Sequence, residues 1–229
     1  MRNAANAASS GSGGLGLMMQ PTERSRKMAT KAKAPAVDET VVLPPILKKT
    51  IQVRVVGDTP LIVHRWSKKA REEILAKQMK KAKPAKAAKD PEGDYRESLY
   101  QLPDGSYGFP ATAFKNAAVT ACTSLDDKKN MPKTKARQIM HIVADDADMV
   151  RINGTPRMRE DMVRLNGTTA DIRYRGEFPE WSADLTIVFN ANVVSEAQVL
   201  NILNLAGFGV GVGEWRPERN GQFGRFHVE

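Results

Sequence analysis

Glycines occupy alternate positions from 207 to 213, and this is the most distinctive local pattern in the sequence. Glycine permits positive φ angles and the close approach of one backbone to another. Aromatic and arginine residues follow directly, so backbone amides, guanidinium groups and rings come together in a form suited to a phosphodiester chain with stacked bases. The alternative is a surface turn whose aromatic residues belong to the core. The candidate nucleic-acid contacts here are Gly209, Gly211, Gly213, Trp215, Arg216, Arg219, Phe223 and Arg225.

Lysine and arginine cluster in two other segments. Residues 65–90 contain ten basic residues against three acidic ones, and residues 126–137 contain five against two. Lysine-rich loops follow a nucleic-acid backbone without reading its sequence, and such binding weakens with salt. A solvated charged surface is the alternative. The candidate contacts in these segments are Lys68, Lys69, Arg71, Lys80, Lys81, Lys83, Lys128, Lys129 and Lys133.

His64 is the candidate for catalysis, because it follows a predicted strand and precedes a basic helix. A nuclease that works without metal needs a general base and a positioned partner. Tyr174 or His227 are the possible partners, and the sequence does not place either of them beside His64. A structural role or a phosphate contact is the alternative for this histidine.

No cofactor or metal ion is predicted. The glycine series follows a helix and lacks a Gly-Lys-Ser/Thr ending, which excludes the dinucleotide-binding and P-loop fingerprints. Asp145, Asp146 and Asp148 lack the glycine and the terminal glutamate of an EF-hand loop, so an exposed turn is expected there. Cys122 is the single cysteine, which excludes a disulfide framework, and it is expected in the core.

Composition favours an anionic partner. The chain has 229 residues, with 35 Lys and Arg against 26 Asp and Glu, which gives a net charge of +9. Such an excess favours nucleic acid over an acidic membrane surface or protein. No stretch approaches the roughly 18 apolar residues of a membrane-spanning helix, so no membrane association is predicted. No motif distinguishes RNA from DNA.

Hydrophobic periodicity predicts six elements in the order βαββαβ: strand 51–56, helix 112–124, strand 138–144, strand 183–189, helix 195–206 and strand 223–228. With right-handed crossovers this order predicts an α+β, ferredoxin-like (RRM-like) fold, a four-stranded antiparallel sheet with both helices on one face. The open face of such a sheet is a common platform for single-stranded nucleic acid. Insertions are expected at about 65–110 and 150–180.

Local signals place further boundaries. Ser67 is expected to cap a peripheral helix over 68–81, in which Glu73 and Lys77 pair, and an Asp-Gly turn predicts a hairpin over 99–109. Thr112 is expected to cap the first helix of the skeleton. Ser195 and Gln198 predict a capping box for the second, which Gly207 is expected to end. Short strands are expected at 162–165 and 171–174.

Residues 1–40 are predicted to be a disordered basic tail, because they lack apolar periodicity. A single domain is expected over 41–229. Translation from Met28 rather than Met1 is possible.

Residues 108–115, Gly-Phe-Pro-Ala-Thr-Ala-Phe-Lys, resemble the Pro-x-Ser-x-x-Lys-Gly helix start of the RAMP superfamily, the ferredoxin-like proteins of CRISPR effector complexes. The segments 207–213 and 221–226 resemble the glycine-rich loop and terminal strand that end those proteins. The two insertions correspond in position to their lid and thumb. Asn116 departs from the pattern, since glycine follows the lysine in the family. Residues 59–66 also resemble the beginnings of bacteriophage proteins, which suggests a phage-encoded relative in the host cytoplasm.

The resemblance implies a protein that coats single-stranded RNA or DNA as a homo-oligomer, with Lys115 and the glycine loop as backbone contacts. The sequence thus predicts a non-catalytic single-stranded nucleic-acid-binding protein, with phage replication, recombination or defence as the expected settings. One alternative is a metal-independent endoribonuclease of the same fold that uses His64. Another is a structural or assembly protein whose basic tail contacts nucleic acid.

Overall fold

A strand rich in β-branched residues, β1 (Lys48–Gly57), lies inside a sheet of the computed structural model, which describes residues 43–81, 88–124, 131–165 and 167–229. Residues Pro44–Glu229 form one compact unit. The predicted tail, residues 1–40, lies outside the described residues. The other elements are β2 (Leu61–Val63), α1 (Lys68–Gln78), α2 (Pro91–Ser98), β3 (Gly108–Pro110), α3 (Ala111–Ala121), α4 (Lys133–Ile139), β4 (Met140–Val143), β5 (Met149–Arg151), β6 (Arg157–Leu165), β7 (Thr169–Phe178), β8 (Ser182–Asn190), α5 (Glu196–Gly209) and β9 (Phe226–Val228).

The central sheet has four antiparallel strands in the order β4-β8-β1-β9. The first strand of the βαββαβ skeleton, β1, thus lies between the third, β8, and the fourth, β9. The second, β4, lies at an edge. Helices α3 and α5 pack against each other and against one face of the sheet. This arrangement is the ferredoxin-like fold, and it confirms the fold class predicted from the sequence.

Alternation along the strands builds the core between this sheet and its helices. Val53 and Val55 of β1 are buried, and they pair in register with Leu185 and Ala183 of β8 on the same face. Phe114 of α3 is fully buried against them and contacts the rings of other core aromatics. Side chains with period two on the strands therefore meet side chains with period 3.6 on the helices. Cys122 is also buried, as expected.

The opposite face of the sheet is polar. Gln52 and Arg54 of β1 pair with Thr186 and Asp184 of β8 on this face. No phenylalanine, tyrosine or tryptophan of the four strands lies on it. The face therefore lacks the rings on which bases stack in RNA-binding sheets of this topology. That this open face serves as a platform stays a prediction.

The second insertion forms a second sheet with β2, in the strand order β2-β7-β6. Strands β6 and β7 form a long hairpin, in place of the two short strands expected at 162–165 and 171–174. The prediction was too short because the hairpin lacks apolar alternation. Arginine and acidic side chains line one face, and Met158, Met162 and Ile172 are exposed on the other.

Capping interactions set most helix boundaries. The Ser67 hydroxyl accepts the Ala70 N–H at 3.1 Å and starts α1, and the capping box of Ser195 and Gln198 starts α5, both as predicted. The ion pair on α1 joins Lys68 and Glu72 rather than the predicted pair one turn later.

Three local predictions are wrong, and one helix was not predicted. Helix α5 continues past Gly207 to Gly209, because its last turn is held by tertiary packing. Thr112 does not cap α3, which begins directly after Pro110. Helix α4 occupies part of the predicted loop and delays strand β4 to Met140. Helix α2 was not predicted, although Asp90 before a proline is a helix-start signal.

Turns complete the framework. The Asp104–Gly105 turn is present, since the Leu102 N–H donates to the Ser106 carbonyl at 2.9 Å. The predicted hairpin forms, since the Gly108 N–H donates to the Tyr100 carbonyl at 2.8 Å and Gln101 pairs with Tyr107. Strand β3 pairs in addition with β5. The acidic segment before β5 is an exposed turn, as expected, and the Asp145 carboxylate accepts the Arg151 N–H at 2.8 Å.

Candidate nucleic-acid interface

A cleft of about 430 Å³ lies between helix α3, the end of β2 and the segment after α5. The apolar side chains of its mixed lining come from Ile62, Phe109, Ala113, Ala117, Val210 and Val212. Its polar side chains come from His64, Tyr100, Thr112, Asn116, Thr120, Glu214, Arg216, Glu218 and Arg219. Four of the predicted contacts, Gly211, Gly213, Arg216 and Arg219, therefore line one cavity together with the catalytic candidate His64.

The glycines of the segment dock it on the rest of the protein. Gly213 has a φ of +81°, and a Cβ there would lie 2.5 Å from the Ile62 carbonyl oxygen. The next residue, Glu214, donates its N–H to that same oxygen at 2.9 Å. The close backbone approach that glycine permits is thus used within the protein. Gly209 lies in the last turn of α5 and faces open space.

Arg216 acts inside the segment. Its guanidinium donates to Glu218 Oε2 at 2.7 and 3.0 Å and to the Gly213 carbonyl at 3.0 Å. These bonds occupy most of its donors and brace the turn. Arg219 is exposed, and within the described part of the chain its guanidinium has no ion-pair partner. Of the two predicted arginines, Arg219 is the one available to an anion.

Trp215 occupies a strained turn. Its φ is +55°, a region that side chains larger than glycine rarely adopt. The Trp215 carbonyl accepts the Phe223 N–H at 3.1 Å, which closes the turn, and the side chain remains 42% exposed. Strain of this kind persists only where the surroundings determine the conformation, and it is often found at functional sites.

Two arginines of the β6–β7 hairpin contact the rings of this segment. The Arg159 guanidinium lies 4.8 Å from the centroid of the Phe223 ring, and that of Arg175 lies 5.7 Å from that of Trp215. We call these four side chains the ring–arginine array. The Arg225 guanidinium lies at a similar distance from the centroid of the Phe208 ring on α5. The sequence prediction included both rings of the array and missed both arginines. The only signal for them was that each strand has two arginines separated by one residue.

Buried carboxylates hold the arginines of the array in place. Glu177 is 4% exposed and accepts from Arg157 at 2.7 Å and from Arg159 at 2.9 Å. Asp161 accepts from Arg159 at 2.8 Å and from Arg175 at 3.3 Å. The Nε atom of Arg175 is buried without a hydrogen-bond partner. The guanidinium planes are thus fixed in position by charge-assisted hydrogen bonds.

His64 lies at the rim of the cleft, directly after β2. Burial lowers its pKa, the positive charge of Arg175 lowers it further, and Glu214 partly opposes this change. The imidazole is therefore neutral at physiological pH. Within the described residues it has no hydrogen-bond partner, and the predicted partner His227 is instead bound to Asp58 at 2.6 Å. Tyr174 lies on the hairpin face that carries Glu160.

Lys115 does not face the cleft. Thr112, Asn116 and Thr120 follow one another at one-turn spacing along the cleft side of α3. The Lys115 ammonium lies 3.0 Å from Nδ1 of His141 on β4 instead. The structure thus separates the two features that the RAMP resemblance assigned to backbone contact.

The predicted basic contacts lie on α1 and at the start of α4. Helix α1 has no buried residue, and Lys68, Lys69 and Arg71 project from it. The Arg71 guanidinium lies 5.7 Å from the centroid of the exposed Trp66 ring. The remaining described members, all exposed, are Lys80, Lys81 and Lys133. Lys83, Lys128 and Lys129 lie outside the described residues.

Among the described residues no group of three or more His, Cys, Asp or Glu side chains is arranged to hold a metal ion. In the same part of the chain, no helix has the length and apolar character needed to cross a membrane.

Comparisons with known proteins concern the fold alone. No protein-family model matches the sequence, and no curated protein matches it. Among solved structures, the chain is similar to one from "Type III-B Cmr-beta bound to cognate target RNA", with 9% identity and a TM-score of 0.46 over 80% of this chain and 59% of that chain. It is also similar to Cmr6 from Pyrococcus furiosus, with 9% identity and a TM-score of 0.39 over 81% and 100% of the two chains.

The strand order of the central sheet, with α3 and α5 on one face, gives the chain a ferredoxin-like fold. Membership of the RAMP superfamily stays a prediction from the sequence.

Proposed function

We propose that this protein is a non-catalytic single-stranded nucleic-acid-binding protein. The observation that carries the proposal is the ring–arginine array, in which an exposed tryptophan is supported by a guanidinium that is itself held by Asp161. A base that stacks on an aromatic ring contributes about 1–3 kcal/mol, and the interaction tolerates any base. A ring held in advance in its binding orientation loses little conformational entropy when a base stacks on it.

Cations around the array supply contacts to phosphates. Arg219 has an exposed guanidinium without an ion pair in the described part of the chain, and it lies four residues from Trp215. On α1, Lys69 is exposed and Lys68 has only a long 4.0 Å ion pair. Each phosphate that is neutralised releases counterions. For single strands, the logarithm of the affinity therefore falls with the logarithm of the salt concentration, with a slope of roughly 0.7 per phosphate.

Substitution of Trp215 by alanine tests the proposal. Fluorescence anisotropy with labelled single strands of RNA and of DNA is expected to show an affinity loss of about 5- to 150-fold, which corresponds to one stacked base. Phe208→Ala is the matched control, since Phe208 is also an exposed ring beside an arginine but lies outside the array. Equal affinity of the wild type and Trp215→Ala would contradict the proposal.

Salt dependence separates backbone contact from stacking. Arg219→Gln is expected to reduce the slope of log affinity against log salt by roughly 0.7 and to weaken all strands equally. Trp215→Ala is expected to lower affinity at every salt concentration with the slope unchanged. If the protein binds no RNA or DNA strand at low salt, the proposed function itself is overturned.

A bacteriophage origin, with function in the host cytoplasm, stays a prediction from the sequence. Assembly along a strand, with one subunit beside the next, is part of the proposal. Light scattering on strands of increasing length tests it, because the number of bound subunits is expected to rise in proportion to length. A single subunit on every strand would restrict the function to monomeric binding. Particles formed without nucleic acid would favour the structural and assembly role.

An endoribonuclease is the second candidate, because His64 lines the cleft with a neutral imidazole. Such an imidazole accepts a proton at neutral pH, as a general base requires. His64→Ala distinguishes the candidates: cleavage of labelled RNA that disappears in this variant, while binding is retained, would establish the enzyme. Intact RNA after prolonged incubation with the wild type would support the binding protein.

A further inference from the structure

We propose that the cleft beside Trp215 accepts a single unstacked nucleobase with amino and ring N–H donors, guanine best of all, and that Glu214 reads it. The inference rests on the proposed function and adds base preference to it. It comes from the shape of the cleft, from its polar groups without partners and from the sign of its charge.

The cleft has the size and lining of a small-molecule site. Its volume of about 430 Å³ falls within the range of about 300–1,000 Å³ that is usual for such sites. Ala113 and Ala117 on one wall and Val210 and Val212 on another present short apolar side chains. Apolar walls of this kind match the two faces of a planar ring.

Polar groups without partners converge on the same cavity. In the described part of the chain, the Glu214 carboxylate, the Asn116 amide, the Tyr100 hydroxyl and the His64 imidazole make no hydrogen bond. Asn116 is exposed, and the other three groups are half-buried. A few convergent polar groups in a cleft are the usual means of orienting a ligand.

The carboxylate of Glu214 makes its part of the cleft unfavourable for a phosphodiester. Glu214 has no cation paired to it in the described residues, whereas Arg216 is already neutralised by Glu218 at 2.7 Å. A carboxylate repels phosphate and accepts N–H donors. The phosphate is instead expected at the rim, where the guanidinium of Arg219 is exposed.

A carboxylate also distinguishes the bases. Guanine offers two parallel donors, N1–H and N2–H, which match the two carboxylate oxygens. Cytosine and adenine offer one amino group, and uracil and thymine offer only N3–H. Single-stranded nucleic acids are read in this way, by hydrogen bonds to the edges of unstacked bases. The order expected is guanine first and uracil or thymine last.

The array delivers a base to this cleft. Trp215 follows Glu214 directly, so a nucleotide stacked on the ring places its neighbour at the mouth of the cavity. Extrusion of that neighbour is least costly in a strand that is already single. One strand thus contacts the ring by stacking and the cleft by hydrogen bonds.

The test uses oligouridine strands of about fifteen nucleotides that differ only at the central position. A central guanine is expected to raise affinity by about 5- to 150-fold over uracil, as one bidentate base contact does. Inosine, which lacks the 2-amino group, is expected to lose part of that gain. Glu214→Gln is expected to abolish the preference while affinity for all-uridine strands is retained, and Asn116→Ala is expected to reduce it.

The control variant is Glu180→Gln, which removes the same charge from an exposed turn outside the cleft. Equal binding of all strands by the wild type would overturn the pocket while leaving the proposed function intact, as would a preference that survives Glu214→Gln. Absence of binding to any strand would instead refute the proposed function. Competition by free guanosine monophosphate distinguishes the two sources of the base. Weak competition is expected if the pocket takes a base within a strand, and strong competition if it takes a free nucleotide. Either result supports the base-reading pocket.

Discussion

The central sheet and the β6–β7 hairpin are stabilised by different forces. The sheet and its two helices enclose apolar side chains such as Phe114 and Leu203, which are fully buried. The hairpin has a face of arginines and carboxylates, with Glu177 as its most buried acid. Apolar burial is non-directional, whereas charge-assisted hydrogen bonds fix distance and orientation. The comparison indicates a scaffold in the first region and a positioning device for functional side chains in the second.

Among the variants that test this difference between the two regions, loss of a core ring should have the largest effect on stability. Phe114→Ala is expected to lower the free energy of unfolding by about 3–5 kcal/mol, because it leaves a cavity where the ring touches three other aromatic rings. Chemical denaturation measures the loss. Phe208→Ala removes an exposed ring and should change stability by less than about 0.5 kcal/mol. Similar losses in the two variants would contradict a scaffold held by this core.

Removal of a buried charge in the hairpin should come next. Glu177→Gln keeps the shape and leaves Arg159 with a weaker partner, so a loss of about 2–3 kcal/mol is expected. Because Arg159 supports the ring of Phe223, nucleic-acid affinity should fall as well. Glu229→Gln, which removes an exposed partner of Arg54, is the control and should cost less than about 1 kcal/mol. An affinity equal to wild type would show that the network does not position the array.

Loss of a local cap should have a smaller effect. Ser195→Ala removes the hydroxyl that accepts the Gln198 N–H and should cost about 1 kcal/mol. The effect is confined to the scaffold, so binding of single strands should be unchanged once the protein is folded. Thermal unfolding and anisotropy measure the two quantities in parallel. A loss of affinity would indicate that the position of α5 governs the cleft.

Protonation of His64 should have the smallest effect. The pKa of His64 is lowered in the folded protein by burial and by Arg175, so the unfolded chain binds the proton more readily. Stability is therefore complete above the unfolded value of about 6.5 and declines as pH falls below it. Denaturation at a series of pH values measures the slope, and His64→Gln should flatten it below about pH 6.5. An unchanged slope in this variant would assign the decline to other groups.

The skeleton was predictable because its signals are local. Ile51–Val56 alternates as a strand should, and the serine and glutamine at 195 and 198 define a helix start within four residues. The strands of the hairpin were predicted too short because they lack apolar alternation. Helix α4 escaped prediction because it spans only seven residues, too few to show a period.

The candidate site was predictable only in part. Trp215, Phe223 and Arg219 followed from composition near the glycines, and the structure places them at the cleft or the array. Arg159 and Arg175 lie about 40 to 60 residues earlier in the chain, and no local pattern relates them to those rings. Glu214 carried no signal, because a single carboxylate in a loop is typical of any surface.

The amino-acid sequence by itself determined the basic charge, the order of the six skeleton elements and the caps that begin α1 and α5. These properties depend on residues close together in the chain. The tertiary structure decided that β2 pairs with β7, which joins the second insertion to the segment after β1 in one sheet. It also decided that the arginines of the hairpin lie against the rings after α5, since contacts between distant segments depend on the whole fold and not on any local pattern.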